Sequence, residues 1–70
     1  MSNQSMLDAL LRAVEIAGSA AELSEKIGLE RTASNVNVMV NRDKKASVKY
    51  VAKISEVTGV PCYELRPDIF

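Results

Sequence analysis

A chain of seventy residues forms one small domain with a thin core, because a domain of this size buries only about 60% of the surface that its unfolded form exposes. The single cysteine excludes an internal disulfide, and the absence of histidine removes the commonest general base and metal ligand. A formal net charge of zero argues at first against a polyanionic partner, yet the charge is unevenly spread.

The first predicted helix spans about residues 6–17. Ser5-Met6-Leu7-Asp8 offers an N-cap hydroxyl with an acid three residues on. Leu7, Leu10, Leu11, Val14 and Ala17 then fall on one stripe that ends at Gly18. The same N-terminal stretch carries Asp8 and lacks the apolar run of a signal peptide. No segment approaches the roughly 20 apolar residues of a membrane span, so a cytoplasmic protein is expected.

A second helix is predicted over 19–27. Ser19-Ala20-Ala21-Glu22 is a capping box, Ala20, Leu23 and Ile27 face inwards, and Gly28 supplies the left-handed stop.

Residues 33–41, ASNVNVMVN, fit two periods. Asn35-Val36-Asn37-Val38 alternates like a half-buried strand, whereas Val36, Met39 and Val40 share one helix face. A lone strand would need a partner across a dimer, since the rest of the chain reads as helical. A helix over 33–41 with Thr32 as its N-cap is the favoured reading, and the strand is its alternative.

A further helix is predicted over 47–58, with Ser47 as cap, Val48, Val51, Ile54 and Val57 or Thr58 inward, and Gly59 as stop. A short turn over 61–65 follows, with Pro61 at its first position and Arg66-Pro67 ending it. The expected fold is therefore all-α, a single four- to five-helix domain over residues 1–70. Its short helix, glycine turn and polar helix outline a helix-turn-helix.

Charge sharpens this outline. Residues 31–53 hold Arg31, Arg42, Lys44, Lys45, Lys49 and Lys53 against Asp43 alone, while both flanking segments are net acidic. Such a block is the footprint of a polyanion-binding face, or else simply a solvated one. On a helical 33–41 the outward residues are Thr32, Ala33, Ser34, Asn37, Val38 and Asn41, with Asn35 at the margin. Asparagine pairs bidentately with adenine, a hydroxyl can reach base or phosphate, and a valine can meet a thymine methyl. These six candidates for base contact are Thr32, Ser34, Asn35, Asn37, Val38 and Asn41. Candidates for phosphate contact are Ser19, through the start of the second helix, and Arg31, Arg42, Lys44, Lys45 and Lys49; Lys53 can simply be solvated. A monomer this small reads few base pairs, so a homodimer on double-stranded DNA is expected. Tyr63, Leu65, Ile69 and Phe70 are its candidate contacts, or close the monomer's own core. No nucleophile–base pair, metal cluster or phosphate loop is visible, so no enzyme, metal, cofactor or small-molecule ligand is expected.

The stretches ALLRAVEIAGSAAELSEKIGL at 9–29, VNVMVN at 36–41 and TGVPCYELRPDIF at 58–70 together resemble the Cro and YdaS-like group of small phage and prophage DNA-binding regulators. The resemblance implies a lambda-repressor/Cro-like fold and a repressor that binds a near-palindromic operator as a homodimer. Two departures stand out. The stretch between Gly28 and Val36 is about two residues longer than in that group, so a longer turn is expected, and asparagine and valine replace the group's glutamine or aromatic residues. The other reading of the same scaffold is a protein-interaction module, an antitoxin or a regulator of another transcription factor.

Overall fold

Where each helix begins and ends follows from the local chemistry of its termini. The computed structural model describes residues 3–70 and their side chains from Ser5 onwards. Among these residues there are five α-helices and no strand: α1 (Asn3–Ala17), α2 (Ala20–Lys26), α3 (Ser34–Val38), α4 (Val51–Thr58) and α5 (Cys62–Leu65). A π-helical turn, Met39–Asp43, continues α3 without a break.

The capping box of α2 forms as its sequence requires. Ser19 is extended, and its Oγ accepts the Glu22 backbone N–H at 3.1 Å. At the other end Gly28 has φ +91°. Its N–H donates to the Glu25 carbonyl and that of Leu29 to the Ser24 carbonyl, the paired bonds of a Schellman stop, whose left-handed residue is cheapest as glycine.

Several helix starts differ from the sequence expectation. The first helix begins at Asn3, so Ser5 lies inside it and is not its cap. The fourth begins at Val51 rather than near Ser47; the Ser47 carbonyl instead accepts the Tyr50 N–H in a tight turn, and Val48 points outwards, 59% exposed. Pro61 sits one place earlier than expected, as the extended N-cap of α5.

The third helix settles the competition of periods. A strand would put Val36 and Val38 on one face, but Val36 is fully buried while Val38 is 41% exposed. Met39 is buried and Val40 packs half-buried beside it, which is the helical pairing. The helix starts at Ser34 instead of Ala33, and Thr32 Oγ1 accepts the Ser34 N–H at 3.3 Å from just outside it.

All five helices contribute to one core. Leu10, Leu23, Val36, Val51, Ile54 and Leu65 are its largest fully buried apolar side chains, and each stabilises the fold by about 1.5–3 kcal/mol relative to exposure. The inward face of α1 is Met6, Ala9, Leu10, Ala13 and Ala17. Of the expected stripe, Leu10 and Ala17 are buried, Leu7 and Val14 are half-buried, and Leu11 is exposed. Alanines at 9 and 13 let α1 lie close against its neighbours, so the buried face is turned away from Leu11.

Leu10→Ala is expected to lose about 2–5 kcal/mol in urea denaturation, close to the whole of what a core this small supplies. The neighbouring Leu11→Ala should stay within about 0.5 kcal/mol of the parent. Equal losses would mean that α1 packs through the other face.

Candidate nucleic-acid interface

The α2–α3 pair is held at the centre of the domain by its own buried residues. Leu23 and Ser24 of α2 and Val36 of α3 are all fully buried. The chain between the helices, residues 27–33, is longer than the usual turn of about 3–4 residues, as the spacing between Gly28 and Val36 predicts. Ser24 fits the close approach sterically, but its Oγ has no hydrogen-bond partner. A buried hydroxyl left unpaired costs about 1–3 kcal/mol. Ser24→Ala should therefore stabilise the domain by about 1 kcal/mol, raising Tm by about 4–8 °C in calorimetry. An unchanged or lower Tm would show that the hydroxyl is satisfied in solution.

Opposite the buried Val36 and Met39, α3 turns Ser34, Asn37 and Val38 to the surface, with Asn35 beside them, Thr32 before the helix and Asn41 on the π-helical turn. All six predicted base-contact residues are exposed, and they form one continuous outward face; Ala33 at its edge is half-buried. It offers amides, hydroxyls and the methyl groups of Thr32 and Val38, groups that match the donors, acceptors and thymine methyl of a major groove.

The predicted phosphate-contact residues fall into two groups. Arg42, Lys44, Lys45 and Lys49 follow α3 directly, at the end of the π turn and in the loop before α4. Arg42 is 3.1 Å from Asp43 but three-quarters exposed. No ion pair within 4 Å engages Lys44, Lys45 or Lys49 among the described residues, although Lys49 stands 5.6 Å over the Tyr50 ring. Lys44 is the C-cap of the π turn and has φ +57°. That left-handed conformation costs an ordinary side chain about 1–2 kcal/mol.

Arg31 and Ser19 belong elsewhere. Arg31 lies 3.4 Å from Glu22 and 3.8 Å from Glu25, on the acidic face of α2. The Glu22 carboxylate in turn crowds Gly18, where an added Cβ would collide with it. The start of α2 is thus already faced by a carboxylate, and Glu22 would have to swing aside before a phosphate could reach Ser19 or the Ala20 N–H. Lys53 is paired with Glu56 on α4, one turn away at 3.7 Å.

The C-terminal candidates also divide. Leu65 is fully buried and closes the monomer's core, so it offers no contact to a second copy. Tyr63, Ile69 and Phe70 are exposed.

Arg66, expected only to end the short turn with Pro67, is buried. Its Nη1 donates to the Ala46 carbonyl at 2.8 Å, and Nε and Nη2 fork onto the two carboxylate oxygens of Asp68 at 3.0 and 2.7 Å. The sequence signal was available only as the spacing Arg-Pro-Asp, in which Pro67 sets a turn between opposite charges. The fork holds the Asp68 carboxyl at about 2, below its ordinary 3.8, first through the hydrogen bonds from Arg66 and also through the charges of Arg66 and Lys45. The Arg66 pKa is raised by the same partner. Because the folded state favours ionised Asp68, its stabilisation is complete above the ordinary value and fades as pH falls from about 3.8 to about 2. Acid titration of the urea midpoint across that window should fall less steeply in Asp68→Asn than in the parent; identical slopes would mean that the fork is absent in solution.

The fold and this surface define a small all-α domain of helix-turn-helix outline, with a polar helix face beside a lysine loop. The family model described as bacterial toxin YdaS matches residues 10–70, and the chain belongs to that family of small helical proteins. No curated protein and no solved structure matches the chain. None of the helices described is long and apolar enough to cross a membrane.

Proposed function

We propose that this protein is a sequence-specific DNA-binding regulator, a Cro-like repressor of phage or prophage type that meets a near-palindromic operator as a homodimer. It acts by binding and not by catalysis. The observation that carries this reading is the placing of Ser34, Asn37, Val38 and Asn41 on one exposed face directly before Lys44, Lys45 and Lys49. The face supplies base-edge chemistry, and the lysines supply salt-dependent affinity and register. Lys44 adds weight of its own. A lysine kept at a left-handed cap, where glycine or asparagine is cheaper, points to a role outside folding.

A second reading, a helical protein-interaction module of toxin or antitoxin type, is favoured by the exposed Tyr63, Ile69 and Phe70 and by the description of the family as a bacterial toxin. On that reading the lysines are a solvated surface, and DNA binding is weak and indifferent to sequence.

Fluorescence anisotropy with DNA from upstream of the protein's own gene, beside an unrelated duplex and at two salt concentrations, separates the two. The regulator binds the upstream DNA preferentially, and Asn37→Ala loses about 1–3 kcal/mol of that preference. Neutralising Lys44 and Lys45 lowers the slope of log K against log salt by about one for each lost phosphate contact. Lys44→Gly weakens binding while stabilising the fold by about 1 kcal/mol. No binding to either duplex at low salt would sink the regulator.

A further inference from the structure

We infer that Arg66 is a positioning residue for DNA binding: through the Ala46 carbonyl it holds the loop that carries Lys44 and Lys45 beside the exposed face of α3. This deepens the proposed function and rests on it.

The loop between the π turn and α4 has little regular structure to fix it. At its start the Lys44 and Lys45 N–H groups both point back to the Met39 carbonyl, Lys45 at 3.2 Å. At its middle Ala46 is fully buried, and its carbonyl takes the hydrogen bond from Arg66 Nη1. At its end the Tyr50 N–H bonds to the Ser47 carbonyl. Among the described residues, Arg66 is thus the side chain that joins this loop to the C-terminal segment by a hydrogen bond. It is positioned in turn by its fork on Asp68, which lies on the far side of Pro67. The direction of each bond is set by the planar guanidinium, whose donors reach a carboxylate with one edge and a carbonyl with another. Lysine has one ammonium centre and cannot span both partners in that geometry.

With the clamp in place, Ala46 stays in the core and the two lysines before it leave the π turn in a single conformation. Without it the lysines keep their charge but lose their place. Arg66 itself is buried and each of its three guanidinium nitrogens already donates a hydrogen bond within the protein, so it is not a phosphate contact. The distinction is measurable, because Arg66→Lys leaves net charge unchanged. Any loss of salt-dependent affinity in that variant comes from geometry.

The test compares the parent, Arg66→Lys, Asp68→Asn and Lys53→Gln by anisotropy on the upstream DNA over a salt series, at a temperature where circular dichroism shows each to be folded. Amide hydrogen exchange of residues 43–48 is followed in parallel. Arg66→Lys should bind at least tenfold more weakly and with a smaller salt slope, with faster exchange confined to the loop. Asp68→Asn removes a negative charge, which by charge alone would tighten binding; it should instead bind about threefold more weakly, and it decides the matter if Arg66→Lys does not fold. Lys53→Gln, a loss of charge in α4 away from the clamp, should bind within twofold of the parent. Loop exchange unchanged in the clamp variants, or a loosened loop with parental affinity and slope, would overturn the positioning role while leaving the regulator standing. A parent that binds no DNA would overturn both.

Discussion

The buried guanidinium of Arg66 is the constraint around which the C-terminal half is arranged. Removing a charge from water costs several kcal/mol unless the partners around it are well placed. Here those partners are a carboxylate two residues along and a main-chain carbonyl twenty residues back. The fork on Asp68 bends the tail around Pro67, and the bond to Ala46 draws the loop onto the core, where Ala46 belongs to the same buried cluster as Leu65 and Val51. Neither segment has a regular backbone ladder to hold it. In a core this thin, one charge-assisted junction supplies order that hydrophobic area alone could not.

Much of the fold was legible because its signals are local. Ser19 and Glu22 are three residues apart, and Gly28 lies just beyond the helix they start, so the capping box and the Schellman stop of α2 needed nothing from elsewhere in the chain. The turn between Gly28 and Val36 was likewise readable from spacing. The inward face of α1 was not, because leucine advertises burial more strongly than alanine. The structure buries Ala9 and Ala13 and leaves Leu11 exposed, since close helix approach selects small side chains. The start of α4 failed for a related reason. Ser47 is a good cap by type, but Val48 has weak helix propensity and the buried Ala46 calls for a tighter turn first. Of the proposed site, the exposed face of α3 could be read as soon as the helical period was chosen. The π turn and the left-handed Lys44 could not, because lysine carries no signal for that conformation, unlike glycine or asparagine.

Folding also redistributes the charge that the sequence groups together. Arg31 joins the acidic face of α2, Lys53 is matched by Glu56 within α4 and Arg42 by the adjacent Asp43, which leaves Lys44, Lys45 and Lys49 as the cations after the polar face with no ion pair within 4 Å among the described residues. Net neutrality is then no obstacle to anion binding. The domain measures 31 × 23 × 19 Å, and charges further apart than about 10 Å are largely screened from one another at moderate salt. A phosphate near the lysine loop meets those lysines first, with Asp43 and Asp68 as the carboxylates beside them.

The exposed face of α3 has no stability of its own. Five α-helical residues and one π turn are far below the length at which an isolated helix persists in water. Val36 and Met39, buried on the inner side, set the angle of the helix, while the Met39 carbonyl receives the N–H groups of Lys44 and Lys45 as the turn closes. Met39 thus joins the core to the basic loop. The widening it accommodates also matters for the polar face, because an i→i+5 turn takes more residues to close than an α turn. Asn41 lies within the widened turn and is exposed, as Asn37 is on α3. Under the proposed reading, the two amides belong to one exposed face, and the π turn shapes that face as well as the path into the loop.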